Sequence, residues 1–134
     1  MLSLQTLLAG QIEFPAKGLP VTAAGLTLAG IGDKKWNVLA RDLPLPLLVL
    51  RETALLGNIR WLQRLADEHG VSLAPHGKTT MAPQIFDLQL KAGAWGMTLA
   101  TVHQAAVAAR FGVPRIILAN TVVAPADIRA LATL

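Results

Sequence analysis

The sequence predicts an α/β fold in which parallel strands alternate with helices. Three observations carry this. Short apolar runs begin at residues 45, 72, 95 and 115, at intervals of 27, 23 and 20 residues. Each run is followed by a helical pattern with its own start and stop signals. That alternation implies βα units, a parallel sheet and right-handed connections. Two architectures satisfy it: a doubly wound open sheet, or part of a (β/α)₈ barrel. No glycine-rich dinucleotide fingerprint follows any of the four runs, which weighs against the doubly wound option.

Residues 1–44 read as a lead-in segment. They carry Gly10, Gly18, Gly25, Gly30 and Gly32 with Pro15, Pro20 and Pro44, and show no sustained apolar period beyond one short helix near Ser3–Leu8. Leu45–Arg51 then reads as a buried strand. Thr53–His69 reads as a helix with Leu55, Ile59, Leu62 and Leu65 on one face and Gly70 as its stop. Ser72–Lys78 is the second strand. Pro83 opens a helix carrying Ile85, Phe86, Leu88 and Leu90, ended by Gly93. Trp95–Ala100 is the third strand. Thr101 and Gln104 match a capping box for a helix running to about Phe111, before Gly112. Arg115–Asn120 is the fourth strand, and Pro125 begins a fourth helix.

That helical pattern is still running at Leu134. A (β/α)₈ barrel takes about 250 residues. Residues 45–134 therefore read as the N-terminal half of such a barrel, and the chain as a fragment of a longer protein. A half barrel leaves strand edges and interior side chains open.

Composition removes several function classes. With 53% hydrophobic and 15% charged residues in 134, the chain is not disordered. A membrane span is not expected, because Leu43–Leu50 is broken by Pro44 and Pro46 and a spanning helix needs about 20 apolar residues. No basic residue precedes Lys17, which argues against a secretory signal. The net charge of +4 comes from scattered residues without aromatic interleaving, so nucleic-acid binding has no support. Cysteine is absent, which removes disulfides, thiolate nucleophiles and cysteine metal sites and fits a cytoplasmic protein. His69, His76 and His103 do not have metal-ligand spacing. His69 falls at a helix C-terminus, where a cation suits the dipole, and His103 in an exposed first turn.

The stretch with chemical content is Leu73-Ala74-Pro75-His76-Gly77-Lys78-Thr79-Thr80. Strand alternation points His76 and Lys78 the same way. They sit at the C-terminal end of the second strand, the end that faces the active site in barrels and open α/β sheets. A lysine there can form a Schiff base with a carbonyl compound, favoured by burial and nearby positive charge. The plainer alternative is a solvated surface lysine beside a structural histidine. Asn120 closes the fourth strand at the same end, where its amide could bind a ligand or simply make a turn. Thr79, Thr80, Thr98 and Thr101 could add hydroxyls near the mouth, although Thr101 is better explained as a cap. Gly93, Gly96 and Gly112 read as turn or packing positions.

Pro75-His76-Gly77-Lys78-Thr79, then Gln89-Leu90-Lys91-Ala92-Gly93-Ala94, then Ile117-Leu118-Ala119-Asn120 together resemble the D-threonine aldolase and D-serine dehydratase family. Trp36-Asn37-Val38-Leu39 and Asp42-Leu43-Pro44-Leu45-Pro46 are most similar to its bacterial amino acid deaminase branch. The resemblance covers about residues 36–123. It implies an alanine-racemase-like barrel of pyridoxal-phosphate fold type III, of which this chain holds about the first four βα units. It implies pyridoxal 5'-phosphate as cofactor and Lys78 as the lysine that holds it, with His76, Thr79 and Asn120 contacting it. It implies a D-amino acid substrate, with dehydratase, aldolase and racemase chemistry all open, and a homodimeric parent.

Two departures bear on substrate choice: Thr80-Met81 stand where the family motif continues with His-Lys, and Thr121 where an acidic or amide residue is common. In the family, the strands that hold the cofactor phosphate come later in the barrel. A C-terminal β domain carries the divalent-metal ligands of metal-dependent members, so no metal site is expected within these residues. Two other readings stand beside this one: a non-catalytic pyridoxal-phosphate-binding protein of cofactor homeostasis, and an inert truncated product.

Overall fold

The computed structural model describes residues 2–13 and 15–134. They form two compact units, Leu4–Arg51 and Glu52–Leu134, the latter including Leu2 and Ser3.

The Leu4–Arg51 unit is mostly turns, as its glycines and prolines dictate. Helix α1 (Gln5–Leu8) is a single turn within the expected Ser3–Leu8 window. Gln11 and Thr27 form an antiparallel bridge, flanked by Ile12 N–H donating to Leu26 O at 2.7 Å and Leu28 N–H donating to Gly10 O at 3.0 Å. Ile12 and Ala23 are buried. The strand expected at Leu45–Arg51 does not form. Pro44 and Pro46 offer no N–H donors, and no neighbouring strand among the described residues of this unit provides a ladder. The run stays irregular, with Leu45, Leu48 and Leu50 exposed.

The Glu52–Leu134 unit alternates helices and extended segments, as expected. Helix α2 (Glu52–Glu68) ends at Gly70, whose φ of +63° is the left-handed stop that glycine allows. Helix α3 (Pro83–Lys91) starts on its proline. Strand β1 (Met97–Leu99) follows, then α4 (Val102–Arg110), β2 (Ile116–Leu118) and α5 (Pro125–Leu131). β1 and β2 pair in parallel, with Met97 opposite Ile116, Thr98 opposite Ile117 and Leu99 opposite Leu118. On the other side of β1, His76 makes a parallel bridge to Thr98. Three extended segments thus lie side by side in chain order. Among the described residues only β1 and β2 are full strands.

The second expected strand, Ser72–Lys78, contracts to that one bridge for a local reason. Thr98 N–H donates to Pro75 O, and Gly77 N–H to Thr98 O, each at 2.8 Å. The next rung back would need a donor from Pro75, which has none. There the register slips, and Trp95 N–H donates to Leu73 O at 2.7 Å.

The core of this unit centres on Phe86, Met97 and Leu99, all fully buried, with Ala105 and Ala108 of α4. Gly77 is part of it by lacking a side chain. A Cβ there would stand 2.6 Å from Phe86 Cε1 and 3.2 Å from Leu99 Cδ2. Helix α2 differs from expectation in the face it buries. Its buried residues are Gln63 and Ala66, while Leu62 and Leu65 stay exposed. Gln63 packs on Gly93, where a Cβ would meet its side chain at 3.2 Å. A charged residue is also buried: Asp87 accepts from Leu2 N–H at 2.9 Å and pairs with Lys91. No helix among the described residues is long and apolar enough to cross a membrane.

Two outcomes follow from this packing. Gly77→Ala places a methyl inside the Phe86 contact and is expected to destabilise the unit by about 1–3 kcal/mol, measured by urea unfolding. Burial pushes the Asp87 carboxyl up, but the Lys91 ammonium and the Leu2 N–H outweigh it and hold it below the usual range. A group depressed in the folded state contributes stability above its unfolded pKa of about 3.9 and loses it as pH falls through the folded value. Wild type should therefore lose stability as pH falls below about 5 more steeply than Asp87→Asn.

Candidate functional site

The site builds up from the end of the Leu73–Gly77 segment. Gly77 faces Phe86 and Leu99, so strand alternation turns His76 to the opposite face of the sheet. Thr98 and Ile117 are its neighbours across the ladder. On that face His76 and Ile117 are exposed, while Thr98 is buried and its hydroxyl donates to Ala74 O at 2.7 Å.

Lys78 is the first residue past this segment and opens a turn through Thr80. Met81 N–H donates back to Gly77 O at 2.9 Å, with Met81 at a left-handed φ of +43°. Lys78 and Thr79 are exposed, so this chain supplies none of the burial invoked for the lysine from sequence. The ion pair among the described residues is Lys91 with Asp87, and Lys78 makes none among them.

The third and fourth extended segments end at the same edge. The capping box forms at α4: Thr101 Oγ1 accepts from Gln104 N–H at 3.2 Å. The returning bond goes one residue further back than the usual pattern, with Ala100 N–H donating to Gln104 Oε1 at 2.9 Å. The other end of the Gln104 amide donates to Lys78 O at 3.5 Å. Asn120 donates through Nδ2 to Ala100 O at 3.4 Å, while its Oδ1 accepts from Thr121 N–H at 2.9 Å. Both ends of the Ala100 residue are thus engaged, its N–H by Gln104 and its carbonyl by Asn120. They join the Lys78 turn to the end of β2.

Of the residues singled out from sequence, His76, Lys78 and Asn120 come to one end of the sheet, with Thr79 in the turn between strand and helix. The Asn120 amide is committed to backbone partners. His69 Nδ1 lies 2.9 Å from Leu65 O at the C-terminal end of α2, and His103 is exposed. Among the described residues no cluster of three or more His, Asp or Glu could hold a metal ion. Sequence reasoning missed Gly77 as a packing position and saw Gln104 only as part of a cap. The signal for Gly77 was its place between two outward-facing residues, which requires its own direction to be inward. The edge therefore presents an exposed primary amine free of ion pairs among the described residues, beside an imidazole, on a backbone held by side-chain amides.

No family model matches the chain. A D-threonine aldolase from an Arthrobacter species is 37% identical over 89 residues, covering 66% of this chain and 24% of that protein. The crystal structure of D-threonine aldolase from Filomicrobium marinum superposes with a TM-score of 0.67 at 30% identity, over 69% of this chain and 25% of that one. A D-threo-3-hydroxyaspartate dehydratase variant gives a TM-score of 0.55 at 30% identity, over 59% of this chain and 20% of that one. The chain thus spans about a quarter or less of the length of these relatives. Over that span sequence and fold agree, and the chain belongs to the D-threonine aldolase and D-serine dehydratase family.

Proposed function

We propose that these residues form the first βα units of a (β/α)₈ barrel in a pyridoxal-phosphate enzyme that acts on D-amino acids carrying a 3-hydroxyl, with Lys78 holding the cofactor. The observation that carries this is the place of Lys78. It is an exposed lysine, unpaired among the described residues, where the bridged segment ends on the sheet edge shared with Ala100 and Asn120. The three parallel extended segments, adjacent in chain order, support the barrel. The substrate class is supported by the two kinds of relative, since D-threonine and D-threo-3-hydroxyaspartate share the D configuration and the 3-hydroxyl.

The residues present fit such a cofactor. Lys78 offers an amine with no carboxylate to neutralise it among the described residues, and His76 stands on the open face of the sheet beside it. Bound there, pyridoxal phosphate supplies an electron sink for bonds at the substrate α-carbon. Lys78 would provide the attachment point and an amine able to take up a proton beside the substrate α-carbon. His76 is placed to donate or accept a hydrogen bond at the same edge. The Gly77–Met81 turn and the Gln104 and Asn120 amides fix the backbone from which Lys78 projects. The phosphate and any metal would be held by parts of the enzyme beyond these residues.

The test is turnover. A complete enzyme carrying these residues should convert D-threonine or D-threo-3-hydroxyaspartate, with glycine and aldehyde or 2-oxo acid and ammonia as products. Lys78→Arg keeps the charge but offers no amine that can deprotonate, and should reduce turnover to background. Unchanged turnover in that variant would overturn the assignment. The isolated 134-residue chain should be inactive, and turnover by it would contradict the partial barrel.

A further inference from the structure

We infer that Gln104 is a positioning residue for Lys78, beyond its part in capping α4. The inference rests on the reading of Lys78 as the cofactor lysine. A capping glutamine needs only one end of its amide. Here Oε1 is fixed by Ala100 N–H at 2.9 Å, which determines where Nε2 points. Nε2 then lies 3.5 Å from the carbonyl oxygen of Lys78, 26 residues earlier in the chain. The donor arrives from a different element, whose own start is anchored by the Thr101 cap.

The Lys78 backbone has few other restraints. Its turn is closed by Met81 N–H to Gly77 O, and Met81 adopts a left-handed φ that side chains other than glycine rarely take. Lys78, Thr79 and Thr80 are all exposed. A flexible four-carbon stem leaves the lysine amine wherever the backbone lets it swing, so a grip on the Lys78 carbonyl limits the volume that the amine samples. Gln104 itself is half-buried, and its aim is set by a second bond, so it is suited to hold this carbonyl in place.

Two substitutions separate positioning from capping. Gln104→Glu keeps an oxygen to accept from Ala100 N–H, and a carboxylate suits a helix N-terminus, but it has no donor for Lys78 O. Gln104→Ala loses both bonds. Three measurements are made on a complete enzyme carrying these residues: melting temperature, amide hydrogen exchange of the peptide spanning Lys78–Met81, and labelling after addition of pyridoxal phosphate and borohydride. The label on Lys78 is expressed relative to Lys91.

Positioning predicts that Gln104→Glu melts like wild type yet exchanges about 3- to 10-fold faster in the Lys78–Met81 turn, the scale of one lost exposed hydrogen bond. It also predicts that the relative label on Lys78 falls by a similar factor. If Gln104→Glu matches wild type in exchange and labelling while Gln104→Ala alone is impaired, Gln104 is only a cap and the inference is overturned. If wild type shows no preference for Lys78, the cofactor reading fails instead, and the exchange result still decides whether Gln104 holds the turn.

Discussion

The approach of the Gly77 backbone to the buried Phe86 ring constrains everything at this end of the sheet. A Cβ at this position would lie 2.6 Å from the ring, so the segment can pass over Phe86 and Leu99 only with glycine there. Once Gly77 faces the core, His76 must face the other way, by the period-two alternation of extended chain. The segment then ends in the turn that carries Lys78. Thus one close contact between α3 and the extended segment fixes the face on which His76 stands and the point from which the Lys78 turn departs. The contact itself involves no catalytic atom.

The second constraint works across the strand ends. Ala100 lies between β1 and α4, and both its polar backbone groups are bonded to side chains from the same edge. Gln104 extends this to the Lys78 carbonyl, and Asn120 extends it to the end of β2. The edge is therefore tied together by neutral amides rather than by ion pairs. That leaves the lysine ammonium without a carboxylate partner among the described residues, in contrast to Lys91, which is engaged by the buried Asp87.

What the sequence made legible was local. The starts of α3 and α5 follow from Pro83 and Pro125, that of α4 from Thr101, and the end of α2 from Gly70. Each signal acts within one turn of the residue that carries it. What it hid was non-local. Leu45–Arg51 has the composition of a strand, but a strand also needs a neighbour to bond, and two prolines beside and within it remove donors. The buried face of α2 was misjudged because hydrophobicity favoured Leu62 and Leu65. The face that is buried instead carries Gln63, which packs on Gly93, and Ala66. In the site, alternation was enough to set His76 apart from Gly77, whereas Lys78 lies past the extended segment in the turn. The partner of Gly77 lies nine residues on in another element, and the second bond of Gln104 reaches back 26 residues, so neither shows in spacing.

The central claim is that Lys78, among the five lysines of the chain, is the one placed to hold pyridoxal phosphate. The direct measurement is to add pyridoxal phosphate, reduce with borohydride, digest, and locate the modified peptides by mass. The account predicts that the label concentrates on the peptide containing Lys78. A label concentrated on Lys17, Lys34, Lys35 or Lys91, or spread evenly over all five, would contradict it.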